Sequence, residues 1–193
     1  MRLKSHFSLA RYMLGCMPSV AGPLEACAFL FGNIQPDLKI NSYFRNVAPG
    51  DEGRGHSYNT AMMRITRILE SLDQWSSGIA FAYRLGKISH YAADIFTYPH
   101  NPDLFHGSLK DHMKYERVLD DHLRAEIYSR RGDTFVPERT ACALRSALLS
   151  MHEEYEKNEM SPENDLHFIL DAAAMVVAEL AVVNTKPLIK GVM

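Results

Sequence analysis

Between Ile79 and Ile95 the sequence is apolar on nearly every side of a helix, through Phe81, Tyr83, Leu85, Ile88, Tyr91 and Ala92, yet its last turns hold His90 and Asp94. A helix without a polar face belongs at the centre of a bundle. The i, i+4 spacing puts the imidazole and the carboxylate on one face of it. An unpaired carboxylate at that depth is costly, so something positive has to meet it. The chain continues in the same vein, as His90-x3-Asp94-x5-His100-x11-His112-x3-Glu116. A second helical pair, His112 and Glu116, thus follows the first. Imidazole and carboxylate donors one turn apart suit a first-row metal ion.

The rest of the chain fits a helical reading. Residues 5–16 read as a first helix with Ser5 as its cap, followed by a turn at Gly15, Pro18, Gly22 and Pro23. Leu24 to Phe31 reads as a short apolar helix stopped by Gly32, and Asp37, just after Pro36, falls in a turn. Residues 38–55 are the longest irregular stretch and the natural place for a binding loop. His56 opens a helix whose buried face is Ala61, Met62, Ile65, Ile68, Leu69 and Leu72. Ser76 and Ser77 are candidate caps for the central helix, and Tyr98-Pro99 ends it. Further helices are predicted over Ser108–Arg130, with an apolar face of Leu109, Met113, Leu119, Leu123 and Ile127, then over 137–157 and 163–183, with a turn at Arg131-Gly132-Asp133. No alternating strand pattern and no repeat stands out. The expectation is an all-α, multi-helix bundle forming a single domain over residues 1–193.

Composition narrows the function. The charged fraction is 23% and the net charge −2, with no basic run, which argues against stable nucleic-acid binding. Cys16, Cys27 and Cys142 are odd in number and form no Cys-x2-Cys, so neither a disulfide framework nor a thiolate zinc site is expected, and a reduced, cytoplasmic setting fits. The opening MRLKSHFSLARYMLGC ends in Leu-Gly-Cys as a lipoprotein signal does, but Arg11 interrupts its apolar run, and the N-terminus is read as mature. No uncharged apolar window reaches about 18 residues, so no transmembrane segment is expected.

Each histidine alone is unremarkable. A helical His beside an Asp is most often a hydrogen bond, and Asp37 alone is most often a turn residue. The ordered set His6, Asp37, His56, His90, Asp94, His100, His112 and Glu116, all within the first 116 residues, is another matter. By contrast His106, His122, His152 and His167 read as exposed histidines without a role. Arg11 and Arg84 carry no spacing that ties them to a phosphate.

With those residues in view, the sequence resembles the zinc-dependent phospholipase C and S1/P1 nuclease superfamily. HYAADIFTYPH looks like that superfamily's central His-x3-Asp-x5-His helix, and His112 with Glu116 like the His-x3-Glu (or Asp) pair that follows. FLFGNIQPD looks like its Gly-x3-Pro-Asp segment, Gly55-His56 like its next ligand, and His6 like its early histidine. The resemblance implies an all-α phosphodiesterase built on a zinc cluster. His56, His90 and Asp94 would hold one zinc, and His100, His112 and Glu116 a second. Asp94 would bridge to a third, shared with His6, and Asp37 would act on the attacking water as base or orienter. Secreted members supply the third zinc with the amine and carbonyl of an N-terminal Trp. This chain begins MRLK and its Trp is Trp75, so two zinc ions are expected, and a third depends on whether the Met1 amine can take the place of that Trp.

The chemistry matches the residue types. Zinc brings the pKa of water toward about 7 and neutralises charge building on phosphoryl oxygens. Neutral imidazoles keep such a cluster cationic enough to attract a phosphate. The expected activity is phosphodiester hydrolysis of a phospholipid headgroup or a small phosphate ester, with Tyr43, Phe44 and Arg45 either lining a substrate pocket or covering the bundle. The alternative is a non-catalytic metal-binding or sensing protein that retains the cluster. A phosphohydrolase of the HD type needs adjacent His-Asp, and the chain has only the reverse order, at Asp111-His112 and Asp121-His122.

Overall fold

The computed structural model of the protein describes residues 1–16, 22–39, 47–49, 55–71, 78–130 and 144–185. Among them are seven α-helices and no strand, and the chain is all-α. The helices are α1 (Leu3–Gly15), α2 (Pro23–Leu38), α3 (Tyr58–Glu70), α4 (Ile79–Ile95), α5 (Leu109–Ser129), α6 (Leu144–Tyr155) and α7 (Pro162–Thr185), with a 3-10 turn at Tyr98–His100.

Helix α4 is the axis. It packs against α1, α2, α3 and α7 at once, which is why its sequence has no polar face. Phe81, Leu85, Ile88, Ala92 and Ile95 are all buried, joined by Leu9 and Met13 of α1, Ile65 of α3, and Ile169, Ala172 and Val176 of α7. Phe96, just past α4, stacks on Phe168 with ring centroids 5.5 Å apart. No helix among the described residues is long and apolar enough to cross a membrane.

Several boundaries differ from the sequence expectation. Helix α1 starts at Leu3, so Ser5 is not a cap but an interior residue, its hydroxyl donating to Asp120 Oδ1 of α5 at 2.9 Å. Helix α2 does not stop at Gly32. It runs on to Leu38, through Pro36, and carries Asp37 in its last turn rather than in a loop. Gly32 is a packing requirement: a Cβ there would collide with the carbonyl oxygen of Tyr83, and one on Gly86 with that of Phe29. The backbones of α2 and α4 therefore touch. Pro36 sits late enough in the helix that its missing N–H forfeits a single bond, to the Gly32 carbonyl. Helix α4 is preceded by Gly78 in the left-handed region, at φ 93°. On α5, Leu109 and Met113 are not core residues, being 75% and 58% exposed. Ser76, Ser77, Tyr43, Phe44, Arg45 and the 131–133 turn lie outside the described residues.

Two caps go beyond the sequence expectation. Ser57, rather than His56, begins α3, its side chain accepting from the Thr60 N–H, and Ser108 forms a reciprocal capping box with Asp111 at the start of α5. The alternation of helices then has a consequence. The start of α1, the end of α2, the start of α3, the end of α4 and the start of α5 meet at one end of the bundle, and every residue of the ordered set lies there.

The glycine contact is directly testable. A Gly→Ala change inside a helix ordinarily gains up to about 1 kcal/mol. Gly86→Ala is expected instead to destabilise the protein by about 1–3 kcal/mol, because backbone atoms cannot yield to the new methyl. The midpoint of urea unfolding reads this, and an unchanged midpoint would mean that α2 slides away freely.

Candidate metal centre

Asp94, in the last turn of α4, has no solvent exposure. Its two oxygens face different groups. Oδ1 accepts a hydrogen bond from the Met1 α-amino group at 2.7 Å and lies 3.2 Å from His6 Nε2 and 3.3 Å from His100 Nδ1. Oδ2 lies 2.8 Å from His56 Nδ1 and 3.2 Å from His90 Nε2. A second carboxylate, Glu116, collects His100 Nε2 at 3.1 Å, His112 Nε2 at 3.2 Å and the Met1 amine at 3.2 Å, all on Oε1. Asp37 stands further off, its Oδ1 3.7 Å from His56 Nδ1 and 3.8 Å from His90 Nε2.

Three clusters able to hold a metal ion result: His56, His90 and Asp94; His100, His112 and Glu116; and His6, Asp37 and His90. In each, one donor atom per residue lies within 4.8 Å of the others. The first two are the sets drawn from the sequence. The third sets Asp37 beside His6 and His90, so its carboxylate is within reach as a ligand as well as a base.

The donors fit a cation by a further criterion. Neither ring nitrogen of His6 makes a hydrogen bond among the described residues, nor does His100 Nδ1 or Asp37 Oδ2, although all are buried. Such atoms cost free energy unless a partner arrives. His90 Nδ1 donates to the Asn33 carbonyl of α2 at 2.7 Å, which fixes the tautomer and leaves the Nε2 lone pair facing the cluster. Nε2 and the Asp94 oxygen 3.2 Å away are then both acceptors, an arrangement that a cation between them relieves.

Electrostatics follow from the same contacts. Burial opposes ionisation of Asp94, but the Met1 ammonium and His100 hold it well below the usual carboxylate range. Glu116 is likewise driven down against burial, by the Met1 ammonium and by hydrogen bonds from His100 and His112. Burial lowers His6 to about 4 and also lowers His56, so both stay neutral as ligands must. The Met1 ammonium would be lowered by burial but is raised to about 10 by Asp94, Glu116 and Asp37. His100 is raised, Asp94 and Glu116 outweighing burial and the ammonium.

The cluster opens into a cavity of about 700 Å³ lined by Asp37, His56, His100, His112 and Glu116, by Arg2, and by an apolar wall of Leu3, Phe105, Leu109 and Met113. That is where the outer residues of α5 point. Arg84 is not at this cavity; it donates to Ser71 Oγ at 2.6 Å. Arg11 is exposed and does not line it. His106 is exposed, while His122 and His167 pair with Glu163 and Asp171. His152, expected on the surface, is only 3% exposed. The anchoring residues Asn33, Asn101 and Asp165 and the cavity cation Arg2 escaped the sequence reading. Only Asn101, in an Asn-Pro step after His100, carried a local signal.

A helical bundle that gathers histidine and carboxylate trios around one buried aspartate is compatible with a metal site. The family model for zinc-dependent phospholipase C matches residues 5–162, and the chain belongs to that family. The match takes in the whole ordered set from His6 to Glu116. No curated protein and no solved structure matches the chain.

The charge arrangement predicts how the metal-free protein responds to pH. His6 and His152, both lowered to about 4, bind protons later in the folded than in the unfolded chain, so stability falls as pH drops below about 6.5. Asp165, raised by burial to about 6, works the other way below that value, one group against His6, His152 and the likewise lowered His56. His100 and the Met1 amine are raised, so their contributions are complete below about 6.5 and 8 and fade as pH climbs past those values. Thermal unfolding in the presence of a chelator should give its highest midpoint near pH 6.5 to 7, with lower values at pH 5 and pH 9. A midpoint that rises steadily to pH 9 would remove the ammonium from this balance.

Proposed function

We propose that the protein is a metal-dependent phosphodiester hydrolase of the phospholipase C type, acting through a multinuclear zinc centre on a phospholipid headgroup or a small phosphodiester. The observation that carries this reading is the division of the Asp94 oxygens between two sets of side chains, of which His56 and His100 also line an open cavity. In this reading His56, His90 and Asp94 hold one zinc, and His100, His112 and Glu116 a second. Asp94 reaches a third position with His6 and the Met1 amine. Family membership and the three clusters support it.

Zinc so held would lower the pKa of water and offset charge on the phosphoryl oxygens. The chain's own residues do the rest. Asp37, on the cavity wall with Oδ2 free of hydrogen bonds, takes or steers the proton of the attacking water. Asn33 holds the His90 ring to one tautomer. Arg2 offers a guanidinium to a phosphate entering the cavity. Leu3, Phe105, Leu109 and Met113 give an apolar wall suited to the glycerol and acyl portion of a lipid. The competing reading is a cluster kept for sensing without turnover, and the open cavity lined by His56, His100, His112 and Glu116 weighs against it.

Two measurements decide between them. Protein purified without added metal is expected to carry more than one zinc per chain by elemental analysis, and Asp94→Ala to lose more than one of them; full metal content in that variant would dismiss the bridging role. Asp37→Asn is expected to keep its metal while hydrolysis of bis(p-nitrophenyl) phosphate falls about 10²- to 10⁴-fold. Undiminished turnover by Asp37→Asn would take that residue out of the mechanism.

A further inference from the structure

His152 lies on α6, outside every metal cluster, and is buried. Its Nε2 is 2.8 Å from Asn101 Oδ1. The other end of the Asn101 amide donates to the carbonyls of Ile95, at 3.2 Å, and Thr97, at 3.0 Å, so Oδ1 is the end facing His152 and Nε2 carries the proton. Asn101 directly follows His100. On its face the His152 ring stacks on Tyr58, with centroids 3.7 Å apart and an interplanar angle of 16°. Tyr58 comes two residues after His56. One side chain thus touches both the segment that delivers His56 and the segment that delivers His100, whose rings stand 6.3 Å apart in different clusters.

The other flank of His100 is tied down as well. The Tyr98 N–H donates to Asp165 Oδ2 of α7 at 2.8 Å, and Asp165 Oδ1 accepts from Tyr155 OH at 2.7 Å. The short turn between α4 and α5 is therefore gripped on both sides of its histidine from the last two helices. Packing alone does not call for a histidine here. A leucine or phenylalanine would fill the space without a polar atom to satisfy.

We propose that His152 is a positioning residue of the metal centre, holding the His56 segment and the His100 segment at a fixed separation from α6. This rests on the reading that both histidines are zinc ligands. The role is that of an outer-shell partner, whose loss weakens metal affinity without removing a ligand.

The test uses the full chain loaded with zinc, with stepwise removal by a chromophoric chelator. His152→Phe keeps a ring against Tyr58 and removes the donor, whereas His152→Gln keeps an N–H for Asn101. His152→Phe is expected to release one zinc about tenfold more readily than the parent, with the remaining zinc held as before. His152→Gln should recover most of that loss, and the chelated His152→Phe protein should still unfold in a single cooperative transition, at a somewhat lower midpoint because Asn101 Oδ1 is left without its donor. Should His152→Phe fail to fold, Asn101→Ala breaks the same bond from its other end and is judged by the same chelator titration. Parent-like retention of every zinc overturns the proposal while leaving the proposed function standing. A parent chain that takes up no zinc overturns both.

Discussion

A negative charge cut off from water, on Asp94, is the constraint around which this molecule is assembled. Burying an isolated carboxylate is prohibitive unless positive groups or hydrogen-bond donors meet it. Here they come from the chain's first residue, from the segment just before α3 and from the turn after α4. None of these segments can leave without stranding the charge. The polar centre thus does for one end of the bundle what apolar packing does for the rest, joining helices distant in sequence. A metal ion would take over part of that task, so folding and metal binding are linked in this protein.

Much of this was legible in the sequence because the strongest signals were periodic. The apolar run from Ile79 to Ile95 and the i, i+4 pairs at His90/Asp94 and His112/Glu116 are local patterns, and local patterns survive folding. The misreadings have physical causes of another kind. Gly32 and Pro36 are helix breakers by propensity, but Gly32 is needed for backbone contact with α4, and no one-dimensional rule sees a partner more than fifty residues away. Ser5 resembled a cap because its hydrogen-bonding partner, Asp120, lies on another helix. Leu109 and Met113 follow the rhythm of a core face, yet that rhythm reports only that they share a side of α5; the side happens to open on a cavity. His152 carried no signal, since its contacts with Tyr58 and Asn101 exist only once α6 has docked.

The site also shows a division of labour along the chain. Among the described residues the candidate metal clusters end at Glu116, whereas α6 and α7 contribute hydrogen bonds through His152 and Asp165, and apolar mass through Ile169, Ala172 and Val176. The later helices are a buttress with specific fastenings. The cap at Ser57 and the capping box at Ser108 play a similar part, fixing where α3 and α5 begin and hence where His56 and His112 stand.

The touching backbones at Gly32 and Gly86 act as a calliper. Asp37 lies five residues beyond one jaw, His90 and Asp94 four and eight residues beyond the other. The opening between these donors is therefore set by how closely two helices cross, at positions that never meet an ion. Zinc–nitrogen bonds of about 2.0–2.1 Å and calcium–oxygen bonds of about 2.3–2.6 Å differ by only a few tenths of an ångström. A single methyl group added at the crossing is large on that scale, so the fit of any ion held between these donors would depend on two residues with no side chain at all.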